Sequence, residues 1–182
     1  MGPSMFRNLL VLALFCAQFA TAQDTLSKKT PSVTMSPVPL TTVTRGKPNL
    51  VYLRFRVDSP FHINSNTPKL EFLIPTALTL DAPTDIAVGR ITYPTGEEKS
   101  FPFAPNEKLS VYSGTFILSV MIRPLVGVLP GKYAFHGQLK YQACDNASCY
   151  PPKRLPVDFT VKVVKEPPAP HKNPAQSPHA HR

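Results

Sequence analysis

The chain has 182 residues, a net charge of +9, 22 prolines, 8 glycines, 3 cysteines and no tryptophan. That length fits one ordinary domain with tails rather than two, and 42% hydrophobic residues are enough for a core, which excludes a wholly disordered chain. Three cysteines are too few for a disulfide-scaffold miniprotein, and proline well above ordinary usage argues against a helical bundle.

Residues 1–22 read as a secretory signal peptide. Arg7 supplies the positive start, Leu9 to Phe19 is an apolar run, and Ala20-Thr21-Ala22 fits a cleavage site. The run is short for a membrane span, so a retained anchor is the lesser reading. Phe15 is too bulky for lipid attachment at Cys16. Cleavage removes Arg7 and Cys16, which leaves a charge of +8 and two cysteines, Cys144 and Cys149. No later stretch is apolar enough to be a transmembrane segment. The expected location is periplasmic or otherwise exported, where disulfides persist.

Residues 23–31 read as a loose linker. Val33 to Leu40 fits an edge strand, because its prolines cannot join a central ladder. Arg45-Gly46-Lys47-Pro48 is a turn signal. Val51, Leu53, Phe55 and Val57 then alternate with Tyr52, Arg54 and Arg56, the period of a half-buried strand. Leu70 to Ile74 is a short apolar run closed by Pro75. Ile91 to Tyr93 precedes a Pro94-Thr95-Gly96 turn, across which Lys99 to Phe103 is expected to pair back. Val111 to Ile122 reads as one long strand with Phe116, Leu118, Val120 and Ile122 on one face. Lys132 to Tyr141 reads as another, with Tyr133, Phe135, Gly137, Leu139 and Tyr141 inward. A last strand turns Leu155, Val157, Phe159, Val161 and Val163 inward. With no helical stripe, these strands predict an all-β fold, an immunoglobulin-like antiparallel β-sandwich over residues 32–165. Residues 166–182 form a proline- and histidine-rich tail expected to be disordered. Its His171, His179 and His181 lack the rigid frame a metal site needs.

Lys140-Tyr-Gln-Ala-Cys144-Asp-Asn-Ala-Ser-Cys149-Tyr-Pro-Pro152 carries the most information. Asp-Asn-Ala-Ser is turn chemistry, so a tight loop can bring the sulfurs together. A closed loop of about six residues stabilises by about 2.2 kcal/mol on chain entropy, against about 4 for a loop of about fifty. Such a bridge ties a loop to itself and is a weak staple for a sandwich. Its place on a loop held by a rigid scaffold suits a site. Lys140, Lys153 and Arg154 outnumber Asp145 nearby, which favours a thiolate. Chemistry alone leaves two readings open, a redox-active pair and a structural one. Two cysteines without a second pair do not make a zinc site, and His136 sits on a polar strand face. Asn146-Ala-Ser148 matches a glycosylation acceptor, a pattern common by chance.

Tyr141-Gln-Ala-Cys144 followed by Cys149-Tyr-Pro-Pro152 resembles the active-site motif of the N-terminal periplasmic domain of the thiol:disulfide interchange protein DsbD. Val57-Asp-Ser-Pro-Phe-His-Ile-Asn-Ser-Asn66, Ile91-Thr-Tyr-Pro-Thr-Gly-Glu97 and Glu107-Lys-Leu-Ser-Val-Tyr112 extend the resemblance over roughly residues 32–165. The resemblance implies an immunoglobulin-like sandwich whose pair cycles between dithiol and disulfide, with Cys149 forming mixed disulfides and Cys144 resolving them. It also implies a cap loop with an aromatic ring over the cysteines, for which Phe103 is the first candidate and Phe101 the alternative. Tyr141 and Tyr150 flank the pair and are expected to pack around it. His62, in an expected loop, is assigned a structural hydrogen-bonding role.

No membrane domain or thioredoxin-like domain accompanies the motif, so the chain reads as a freestanding module. The implied partners are a separately encoded thioredoxin-like donor or membrane reductase, and an exported disulfide isomerase or cytochrome c maturation protein as acceptor. No cofactor, metal or nucleic-acid partner is expected, since the positive residues are scattered. The competing readings are an immunoglobulin-like protein-binding module with an inert disulfide and a metal-handling protein that uses the histidine tail.

Overall fold

The computed structural model describes residues 31–166; the expected signal peptide, the expected linker through residue 30 and the expected disordered tail beyond 166 lie outside the described residues. Within them the chain is all strand and loop. The strands are β1 (Val33–Met35), β2 (Thr41–Thr44), β3 (Asn49–Val57), β4 (His62–Asn64), β5 (Ala77–Asp81), β6 (Ile86–Thr92), β7 (Glu97–Phe101), β8 (Ala104–Tyr112), β9 (Thr115–Pro124), β10 (Gly131–Tyr141), β11 (Ala143–Cys144), β12 (Lys153–Pro156) and β13 (Phe159–Val164). They form an immunoglobulin-like β-sandwich with a smaller third sheet. One layer has the order β1-β3-β9-β6. The other has the order β12-β10-β13-β2, with β5 also paired to β10. The third sheet runs β11-β4-β8-β7. Every pairing is antiparallel except β13 with β2.

The period-two segments build the core as expected. Val51, Leu53, Phe55 and Val57 on β3 face inward beside Phe116, Leu118, Val120 and Ile122 on β9. They meet Phe135, Leu139, Phe159, Val161 and Val163 from the second layer in one cluster. Ring stacking reinforces each layer: Phe55 lies 5.3 Å from Phe116 and Phe135 lies 4.7 Å from Phe159.

Four details differ from the sequence reading. Val111 to Ile122 is two strands, broken at Ser113-Gly114, where Gly114 takes a φ of +60° and the chain leaves the third sheet for the first layer. Lys99 to Phe103 does not pair back on Ile91 to Tyr93: β6 pairs with β9, while β7 pairs with β8. The edge strand ends at Met35, ahead of Pro37 and Pro39, and β2 then joins the second layer in parallel. The last inward face is shared by β12 and β13, which Val157 and Asp158 separate.

β10 also meets β5 closely. A Cβ on Gly137 would lie 2.2 Å from the Thr79 carbonyl oxygen and 3.0 Å from Leu80 Cα, so backbone would have to move. Gly137→Ala is therefore expected to destabilise the fold by about 1–3 kcal/mol in urea unfolding. Gly127→Ala, with nothing within 4 Å, is expected to change it by less than about 0.5 kcal/mol.

Candidate active site

The third sheet has two buried faces. On β4, Ile63 points into the large core, while His62 and Asn64 alternate to the other side. On that side a second, smaller cluster forms from Leu73, Phe101, Leu109 and Val111. Cys149 packs against this cluster. The Cys144–Cys149 disulfide therefore sits at a small core of its own, beside the main one.

Cys144 and Cys149 are bonded, with Cα atoms 4.0 Å apart. Their environments differ. Cys144 is 1% exposed on β11, paired with His62 of β4. Cys149 is half-buried at the end of the loop. Asp145 organises that loop. Its Oδ1 accepts the amides of Ala147 and Ser148 at 2.8 and 2.9 Å, and its Oδ2 accepts the Tyr150 hydroxyl at 2.7 Å. The Tyr150 amide donates to the Ala143 carbonyl at 2.8 Å. The hydrogen bond to Asp145 raises the Tyr150 phenol above its ordinary value, since ionising it would place two negative charges together.

Gln142 ties the loop to its surroundings. Its Oε1 accepts the Asn64 side-chain amide and the Ile74 backbone amide, each at 3.1 Å, and its Nε2 donates to the Tyr150 carbonyl at 3.2 Å. Asn64 also donates to the Ile74 carbonyl at 3.0 Å. One side chain thus connects β4, the segment before β5 and the far end of the cysteine loop.

The β7–β8 hairpin brings two aromatic rings to the smaller cluster. Phe101 pairs with Ala104 across a turn made by Pro102 and Phe103. Phe101, the alternative in the sequence reading, is the ring in the cluster against which Cys149 packs. Phe103, the first candidate, is 36% exposed and stacks on Phe101 at 5.4 Å. Phe101 in turn stacks on His62 at 4.0 Å. The three rings form a column from the strand beside Cys144 to the hairpin tip.

The flanking tyrosines separate. Tyr141 is buried in the large core, and its burial raises the phenol. Tyr150 meets Phe61 edge-on at 5.8 Å while its hydroxyl reaches Asp145. Lys140 and Arg154 are register partners on β10 and β12, and with Pro152 and Lys153 they line a shallow cleft. Lys153 donates to the Pro31 carbonyl at 2.9 Å.

His62 departs most from expectation. It lies on a strand, is 3% exposed, and its Nε2 has no hydrogen-bond partner. Burial lowers its pKa to about 4; Lys99 adds to the lowering and Asp145 opposes it. No cluster of three metal-ligating side chains occurs among the described residues.

The family model for the N-terminal part of the thiol:disulfide interchange protein DsbD matches residues 34–160. Among solved structures, the reduced DsbD N-terminal domain of Neisseria meningitidis is similar at 23% identity, covering 62% of this chain and 80% of that one, with a TM-score of 0.41. The complex of the DsbD and PilB N-terminal domains from the same organism gives 22% identity, 60% and 73% coverage and a TM-score of 0.39. AggA, the major subunit of aggregative adherence fimbriae type I from Escherichia coli, gives 10% identity, 75% and 97% coverage and a TM-score of 0.37. No curated protein matches the chain.

Two outcomes follow from this geometry. Gln142→Ala leaves the Ile74 amide and one N–H of the Asn64 side-chain amide without an acceptor, and is expected to cost about 2 kcal/mol in urea unfolding of the oxidised protein. For His62, the unfolded imidazole takes up its proton near 6.5 and the folded one only near 4. Stability should be full above pH 6.5 and fall by about 3 kcal/mol as pH drops toward 4. His62→Phe should remove that part of the pH slope, as read from urea midpoints across the range.

Proposed function

The chain belongs to the family of the N-terminal domain of the thiol:disulfide interchange protein DsbD, and from that premise we propose that it relays reducing equivalents between exported proteins through Cys144 and Cys149. Thiol–disulfide exchange is the chemistry that both the family and the bonded pair fit. The unequal exposure of the two sulfurs carries the assignment of roles. Attack needs a sulfur within reach of a large partner, and Cys149 is half-buried where Cys144 is sealed.

The cycle balances in four exchanges. A thiolate of a donor dithiol attacks Cys149 Sγ. The Cys144–Cys149 bond breaks, a mixed disulfide forms and Cys144 leaves as a thiolate. The donor's second thiolate then releases Cys149 and closes the donor's own disulfide. Next, the Cys149 thiolate attacks an acceptor disulfide. The Cys144 thiolate then attacks Cys149 Sγ, which restores the internal disulfide and frees the acceptor as a dithiol. The net result is one donor dithiol oxidised and one acceptor disulfide reduced. A thioredoxin-like protein or membrane reductase suits the donor role. A disulfide isomerase or cytochrome c maturation protein suits the acceptor role. The apolar start of the chain supports an exported location, with residues 1–22 as the signal peptide.

The hairpin bearing Phe101 and Phe103 is the cap in this reading. Phe101 shields the pair and Phe103 closes over Phe101. A partner must displace the hairpin to reach Cys149.

Trapping tests the roles. In the exported compartment, Cys144→Ser should accumulate a mixed disulfide between Cys149 and a protein partner, resolved on non-reducing gels and identified by mass. Equal trapping by Cys149→Ser would refute the division of roles, and no trapping by either would refute the relay. In thiol–disulfide buffers the pair should titrate above about −300 mV, among labile disulfides. A midpoint well below that would make the bridge structural and leave the sandwich as a binding module.

A further inference from the structure

His62 and Cys144 are register partners across β4 and β11, and both side chains are buried, at 3% and 1% exposure. Register partners in an antiparallel ladder project to one face with Cβ atoms about 5 Å apart. The imidazole and the sulfur therefore share one closed space. Within it, His62 Nε2 has no hydrogen-bond partner. A buried polar atom left in that state is costly and calls for a reason. The disulfide supplies one: a bridged sulfur carries no proton, so Cys144 has nothing to donate while oxidised.

We propose that His62 Nε2 is the acceptor for the Cys144 thiol in the dithiol form, which makes His62 a positioning residue that favours the reduced pair. The proposal rests on the reading that the pair cycles. Reduction by two glutathione thiols breaks the Cys144–Cys149 bond, forms glutathione disulfide and leaves one proton on each protein sulfur. The proton on Cys144 then meets Nε2. The imidazole is neutral at pH 7, because burial holds its pKa at about 4. A neutral ring protonated on Nδ1 presents a bare Nε2. Phe101, stacked on the ring at 4.0 Å, fixes its plane. The charges that act on it are Lys99, on the covering hairpin, and Asp145, on the cysteine loop, and they work in opposite directions.

Two measurements test this. The first uses the native chain, labelled with nitrogen-15 and reduced with excess dithiothreitol at pH 7. The His62 Nε2 resonance should move toward the position of a hydrogen-bonded acceptor, and an unchanged resonance overturns the proposal. This measurement needs no partner protein, so it is independent of whether the relay operates. The second is the glutathione equilibrium of the chain beside His62→Phe, which keeps a ring on Phe101 and removes the nitrogen. The variant should favour the disulfide about tenfold more, a shift of about 30 mV to more negative potential. A change below about twofold, or a shift toward the dithiol, overturns the proposal. Should His62→Phe fail to fold, judged by near-ultraviolet circular dichroism, the resonance of the native chain decides. Failure of the relay has a separate signature, the absence of protein-linked mixed disulfides in the trapping experiment.

Discussion

Ile63 and His62 are neighbours in the chain and face opposite cores. That arrangement requires a strand buried on both sides and paired along both edges, and β4 meets it with three residues held between β11 and β8. Buried backbone must find its hydrogen bonds within the protein, so β4 stays in place only while both neighbours do. β11 brings Cys144. β8 brings Leu109, Val111 and, through its hairpin with β7, Phe101. The disulfide, its aromatic cover and the orphaned imidazole all depend on that one short strand.

The cysteine loop holds its own shape. Asp145 accepts two loop amides and the Tyr150 hydroxyl, and the Tyr150 amide returns to Ala143. None of these bonds involves a sulfur. Opening the bridge therefore leaves a hydrogen-bonded turn in place, and the two thiols remain close enough to close again. A pair that cycles needs that property, because each resolving step depends on the effective concentration of one thiol beside the other.

The large core was legible in the sequence because alternation is a local signal. Val51 to Val57, Phe116 to Ile122 and Tyr133 to Tyr141 each show their inward face within one strand. The cysteine motif was equally plain, since the turn chemistry of Asp145 and the stiffening prolines lie beside the cysteines. What stayed hidden was set by pairing over distance. β4 is too short to show a period, and its sequence His-Ile-Asn puts two polar residues in buried places. Nothing local tells β7 to fold onto β8 rather than back on β6. The order of Phe101 and Phe103 over the site depended on that choice. Gln142 was visible within the motif, but two of its three bonds reach residues 68 and 78 positions away, and these have no signature in the chain.

If the pair relays electrons as proposed, the hairpin tip also has a bearing on selectivity. Phe103 rests on Phe101 with its outer face turned to solvent. Lifting the tip would expose both rings and the floor beneath them to water, at a cost that scales with apolar area. A macromolecule with a greasy rim around its own cysteine can cover that surface as it docks. A small hydrophilic thiol covers almost none of it and meets the full barrier. The cover would thus act as a sieve against metabolite thiols, with a threshold set by how much oily surface the visitor carries rather than by its reducing power.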